Sequence, residues 1–170
     1  QSSDEDSEYS SLRSTGVEKK TTSDSALTTE AGGTVTVQVR LTSMPLSTVT
    51  VTPTSSDNGE GQVSPDTLSF TNKNWNTYQT LTISGVDDNI KDGTQSYQIN
   101  FPLSTEDTKY SSLSVSSLSM SNKDDEVAGV VVGTISGNTT ESGGTATFTV
   151  KLNSQPEDGV AISVSSSNTD

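Results

Sequence analysis

The stretch "TTEAGGTVTVQVRLTSMP", Thr28–Pro45, decides the fold. Val35, Val37, Val39 and Leu41 alternate with Thr, Gln and Arg, the period-two pattern of a strand with one face buried and the other in water. Gly32 and Gly33 ahead of it and Pro45 behind it are turn formers that bound the strand at both ends. The same text recurs as "TTESGGTATFTVKLNSQP" from Thr139, with every element displaced by 111 residues (141 − 30 for the glutamates, 156 − 45 for the prolines). Self-similarity at a fixed spacing is the mark of a tandem array. The second copy reaches Asp170 before half a unit is written, so a longer native molecule is expected.

Working outward, alternating runs recur at Thr48–Ser55, in a short pair within Gln62–Phe70, and at Thr77–Gly85, Thr94–Leu103 and Leu113–Asn122. Gly, Pro, Asn, Asp and Ser separate them. Only 27% of residues are apolar, yet Thr, Val, Ile and Tyr fall in these short runs, which is half-buried strand chemistry rather than disorder. The reading is all-β, an antiparallel sandwich. Three zones follow: residues 1–26 as a polar tail or linker, 27–126 as one complete repeat, and 127–170 as the start of a second. Where the second copy has "AGVVVGTIS" (128–136), the first has "VEKKTTSDS" (17–25), so a degenerate opening strand, or none, is expected there. Trp75, just ahead of a strand, is read as a plug over one end of the core rather than a ligand-stacking ring.

The chain has no Cys and no His. Disulfides, thiolate chemistry, imidazole metal ligands and the usual nucleophilic triads are thereby excluded. A net charge of −13, from 22 acids against 9 bases, argues against nucleic acid and anionic membrane as partners, since both select basic patches. No apolar run reaches the length of a membrane span, and the opening "QSSDEDSEYSS" lacks the basic and apolar regions of a signal peptide. Carboxylate pairs could serve glycoside hydrolysis, but aromatics are 5% of the chain and no sugar platform accompanies them. The chain is read as a non-enzyme.

Laying the strands antiparallel sorts the acids. Successive strands alternate direction, so Glu30, Asp57, the trio Asp87, Asp88 and Asp92 in "VDDNIKDG", and the run Asp124, Asp125 and Glu126 all converge on the end where Thr34–Thr42 starts, the near pole. At the far pole Glu106 and Asp107 are mixed with Lys73 and Lys109. Carboxylates packed together repel unless a cation intervenes. Oxygen donors with no nitrogen or sulfur ligands select Ca²⁺, which accepts six to eight oxygens in a forgiving geometry. "DDNIKDG" is not an EF-hand loop, because counting from Asp88 puts Ile90 at the third ligand position and Ile99 at the twelfth. Any calcium is expected in inter-strand loops.

The blocks "TEAGGTVTVQVRL", "SSDNGEGQVSP", "LSFTNKNWNTYQTLTISGVDDNIKDGTQSYQI" and "SNKDDE" together resemble the Calx-β repeats of bacterial surface and adhesin-like proteins, related to the calcium-binding domains of sodium–calcium exchangers. The resemblance covers 27–126 in full and 127–170 in part. It implies an immunoglobulin-like β-sandwich in tandem repeats, outside the cell or on its surface, bacterial in origin. It also implies calcium ligands at Glu30, Asp57, Asp87, Asp88, Asp92, Asp124, Asp125 and Glu126. The exchanger domains carry further acids after their Asp pair, where this chain has Asn89, Ile90 and Lys91, so fewer ions or weaker binding is implied. The second copy keeps Glu141 but has Asn168 in the place of Asp57.

The expected function is a calcium-binding structural module whose ion rigidifies the junction between repeats. The alternative is a metal-independent adhesive or filament-forming domain that meets a surface glycan, a protein or another copy of itself through loops or strand edges. Asn138-Thr139-Thr140 is an N-glycosylation sequon, and in a chain rich in Ser and Thr such a triplet also arises by chance.

Overall fold

The computed structural model describes residues 14–22 and 25–167. Asn168 and residues 1–13 of the expected tail lie outside them. The chain divides into two compact units, Gln1–Asp88 with Gly93–Asp124, and Asn89–Asp92 with Asp125–Asp170.

In the first unit β1 (Val17–Thr21), β3 (Thr34–Leu41), β8 (Gln79–Gly85) and β6 (Gly61–Ser64) form one sheet, in the order β1-β3-β8-β6. The facing layer holds two sheets. One has the order β2-β11-β9-β5, built from β2 (Leu27–Thr29), β11 (Leu118–Lys123), β9 (Gln95–Asn100) and β5 (Thr54–Ser55). The other has the order β10-β4-β7, built from β10 (Leu103–Ser104), β4 (Val49–Val51) and β7 (Leu68–Phe70). Within this unit all named pairings are antiparallel except β2 with β11. The unit is an immunoglobulin-like β-sandwich.

The alternation read from Thr28–Pro45 is the burial pattern of β3: Val35, Val37, Val39 and Leu41 are buried and the residues between them are not. They pack with Leu81, Ile83, Val49, Val51, Leu68, Phe70, Tyr97, Ile99, Phe101, Tyr110 and Met120 in one core, and Trp75 lies at its margin, half-buried. Two expected strands are broken where proline removes the ladder donor. The run Thr48–Ser55 divides at Pro53 and Thr94–Leu103 divides at Pro102, and in each case the chain passes from one sheet of the layer to the other, as strands do at the corners of sandwiches.

Val17–Thr21, within the zone expected as a tail or linker, is the degenerate opening strand of the first copy. It is in register with β3 from Val17↔Leu41 to Thr21↔Val37. None of its residues is buried, which is why the apolar pattern did not disclose it. Lys19 points inward. Its ammonium stands 4.5 Å from the centre of the Phe101 ring and donates to the Ser116 carbonyl and to Ser116 Oγ. On the outer face Arg40 and Tyr78 both donate to the Glu18 carboxylate.

The far pole is closed by α1 (Thr108–Ser111), a single turn capped by Asp107. Tyr110, buried in the core, donates from its hydroxyl to the Ser43 carbonyl at 2.6 Å, tying the α1 connection back to the end of β3. Asp107 is also buried, and its carboxylate accepts from Leu46 N at 2.7 Å and Lys109 N at 2.9 Å. Asp107 is thus a structural cap and not only a counter-charge to nearby lysines. The Leu46 N–H, followed by the Lys109 N–H and the Lys109 charge, holds its pKa below the usual 3.8 against the opposing effect of burial. A depressed carboxylate stabilises above its unfolded pKa and loses that contribution as pH falls toward the folded value. Asp107→Asn is expected to lower the melting temperature at neutral pH, and the gap from wild type should narrow as pH drops below 3.8. Melting curves across the acid range check it; a gap that does not change with pH refutes the assignment.

In the second unit β12 (Val130–Val132) pairs antiparallel with β13 (Val150–Leu152). The turn that opens β3 recurs. The bridge Thr29↔Gly33 has its counterpart in Thr140↔Gly144. Gly33 N donates to Thr29 Oγ1 at 3.0 Å and Gly144 N to Thr140 Oγ1 at 2.9 Å. Gly32 and Gly143 adopt φ of 87° and 92°, a region open to glycine at little cost. Val130, Val131, Val132, Phe148, Val150, Val160, Ile162 and Val164 are all exposed. Among the described residues no helix is long and apolar enough to cross a membrane.

Candidate metal centre

The near pole is built where five strand ends of the first unit meet, those of β2, β3, β6, β8 and β11. Gly85 N, ending β8, donates to the Gly33 carbonyl at 3.1 Å; Val86 N donates to the Glu60 carbonyl at 3.1 Å; Glu30 N donates to the Lys123 carbonyl at 3.0 Å. Beneath these loops runs a buried polar network. Thr28 Oγ1 lies 2.9 Å from the Tyr97 hydroxyl and donates to Asn122 Oδ1 at 3.0 Å. Asn122, at 0% exposure, donates through Nδ2 to the Val86 carbonyl at 2.9 Å and to Glu60 Oε2 at 3.3 Å. Burial pushes the Tyr97 hydroxyl pKa up, against the hydrogen bond with Thr28. Backbones pass closely here: a Cβ on Gly61 would lie 2.3 Å from the Tyr97 ring, and one on Gly85 would lie 2.4 Å from both Asn122 Oδ1 and the Thr29 carbonyl.

On this platform sit the carboxylates. Glu30 is only 4% exposed, and one of its oxygens lies within 4.8 Å of one on Asp124. Asp124 Oδ2 accepts from Gly93 N at 2.5 Å. A carboxylate oxygen of Glu60 and one of Asp88 also lie within 4.8 Å of each other. Two like unit charges at that separation repel by on the order of 3 kcal/mol at an effective dielectric near 20. A pole of carboxylate oxygens and backbone carbonyls offers only hard donors, which fits a hard divalent cation.

Of the expected ligands, Glu30, Asp88 and Asp124 are brought into these pairs, and Asp87 is exposed at the start of the adjoining loop. Asp92, Asp125 and Glu126 belong to the second unit, in which Asp125 and Glu126 present oxygens within 4.8 Å of each other. Asp57 differs from expectation: its Oδ1 accepts from Gly59 N at 2.9 Å and caps its own turn, and it joins none of the carboxylate groupings found among the described residues. Glu60, three residues on, stands at the pole instead. Its signal was available, since "DNGEG" is one near-pole connection and holds two acids. Asn122 was legible as well, as a polar residue two along from Met120 on the inward side of β11.

No family model and no curated protein sequence matches the chain. Among solved structures, WR4, a C. elegans MSP family member, aligns over 65% of this chain and 97% of its own length, with 13% identity and a TM-score of 0.39, a likeness too slight to carry argument.

Proposed function

We propose that this chain is a non-enzymatic structural module of an extracellular, tandem-repeat surface protein, stabilised by calcium at the near pole. The observation that carries this reading is Glu30, an acidic side chain buried beside the carboxylate of Asp124 at the meeting point of five strand ends. Such an arrangement costs stability as dianion and gains it when a divalent cation is shared. Glu30, Asp124, Glu60 and Asp88 are the first-unit ligands, with Asp87 next to them. Asp125 and Glu126 follow Asp124 directly along the chain, so an ion held by Asp124 recruits the linker to the second unit and restricts its swing. The repeated opening turn around Gly32 and Gly143 supports the array.

Ion binding to the native state alone adds stability by mass action, about 2.7 kcal/mol at a hundredfold excess over Kd. For a unit of this size that is a rise of about 10 °C or more in melting temperature. Glu30→Gln and Asp88→Asn should each remove most of the rise, whereas Glu106→Gln at the far pole should leave it intact. Superimposable melting curves in millimolar calcium and in chelator would rule the proposal out.

A further inference from the structure

We propose that β1 is an exchangeable strand, displaced from the edge of β3 by the segment Ala128–Val132 of a second copy of this chain. The three residues of β1 whose side chains face the core are Val17, Lys19 and Thr21, and none is buried. Lys19 spends its inward position on an ammonium that must be held over Phe101 and against Ser116. Its burial costs it solvation, and its pKa is lowered for that reason.

At the 111-residue spacing, Ala128, Val130 and Val132 stand in the places of Val17, Lys19 and Thr21. In the second unit Val130 and Val132 pair opposite Leu152 and Val150, the counterparts of Leu41 and Val39. This register is two residues away from that of β1, where Lys19 opposes Val39, and a two-residue slip leaves the same side chains inward. In the register of β1, Val130 and Val132 would replace Lys19 and Thr21 while Ala128 replaces Val17; in the register of β12, Val130 and Val132 would stand where β1 puts Val17 and Lys19, so either register gains one inward valine net and removes the lysine.

The tether favours the resident strand. Covalent attachment to the rest of the unit gives β1 an effective concentration on the order of millimolar. The net gain of one inward valine improves the incoming strand by about tenfold or more, which brings half-exchange down to about 100 µM. The product is an open head-to-tail chain of copies, since each copy both donates and accepts and the contact is heterologous.

The bland account of Lys19 is that an inward charge protects an edge strand from pairing. The two accounts predict opposite signs for Lys19→Val. If β1 is exchangeable, the valine improves the resident strand and copies dissociate. If Lys19 is a guard, its removal makes copies associate more. Light scattering with size exclusion, from low micromolar to near-millimolar chain and in chelator, reads this directly. Wild type should grow with concentration while Lys19→Val remains monomeric. Val130→Lys could disturb the second unit, so the donor is also tested as a fluorescent peptide of residues 128–136. Its anisotropy should rise and saturate on wild type, with binding to Lys19→Val weaker by about tenfold or more. A wild type that is monomeric throughout, a peptide that does not bind, or a Lys19→Val chain that associates as much as wild type overturns the proposal. Because the assay is run without calcium, its failure is separate from failure of the metal reading.

Discussion

Gly85→Ala is expected to cost the first unit about 3 kcal/mol or more, a loss out of proportion to one methyl group. The new Cβ would lie 2.4 Å from the Thr29 carbonyl and 2.4 Å from Asn122 Oδ1. Neither neighbour can step aside. Thr29 closes the turn whose carbonyl receives both Gly32 N and Gly33 N, and Asn122 is held on three sides by Thr28, Val86 and Glu60. Gly32→Ala is the natural comparison, since nothing lies within 4 Å of its position and only φ of +87° opposes a side chain. That strain costs about 1–2 kcal/mol. Denaturant midpoints of the two variants should rank in that order; a milder Gly85→Ala than Gly32→Ala would mean that the strand ends at the near pole are loosely joined and yield to the added methyl group.

The difference between these glycines illustrates what the sequence could and could not say. The Gly-Gly turn before β3 was legible because turn glycines follow local rules. The tight approach at Gly85 was not, because it depends on β2 and β11 arriving from distant parts of the chain. The strand pattern of β3, β8 and β9 was plain from alternation, whereas β1 was hidden by Glu18, Lys19 and Lys20, which occupy a half-buried edge. Strand direction alone carried Glu30, Asp88 and Asp124 to one end. It could not choose between Asp57 and Glu60, which share a loop, because that choice rests on the Asp57 carboxylate folding back onto Gly59 N and on the amide of Asn122 reaching Glu60.

Asn122 is where fold and pole depend on one side chain, and Asn122→Leu is expected to cost about 4 kcal/mol. A leucine, bulkier but branched at the same atom, leaves the Val86 carbonyl and the Glu60 carboxylate without the donor that each has now, and each such loss is worth about 1–3 kcal/mol, more for a charged group. Thr28 loses its acceptor on Asn122 but keeps the Ser121 carbonyl and the Tyr97 hydroxyl, so the damage is directed at the pole and not at the core beneath. Asn122→Asp separates the two contributions. It preserves shape and the acceptor for Thr28, but replaces the donor to Glu60 with a further carboxylate. Its destabilisation should therefore be large in chelator and smaller in calcium, whereas that of Asn122→Leu should persist in both. Denaturant titrations of both variants with and without calcium decide the matter: equal losses for Asn122→Asp under the two conditions would show that no cation reaches Glu60, leaving Asn122 a purely structural link between β11 and the loop after β8.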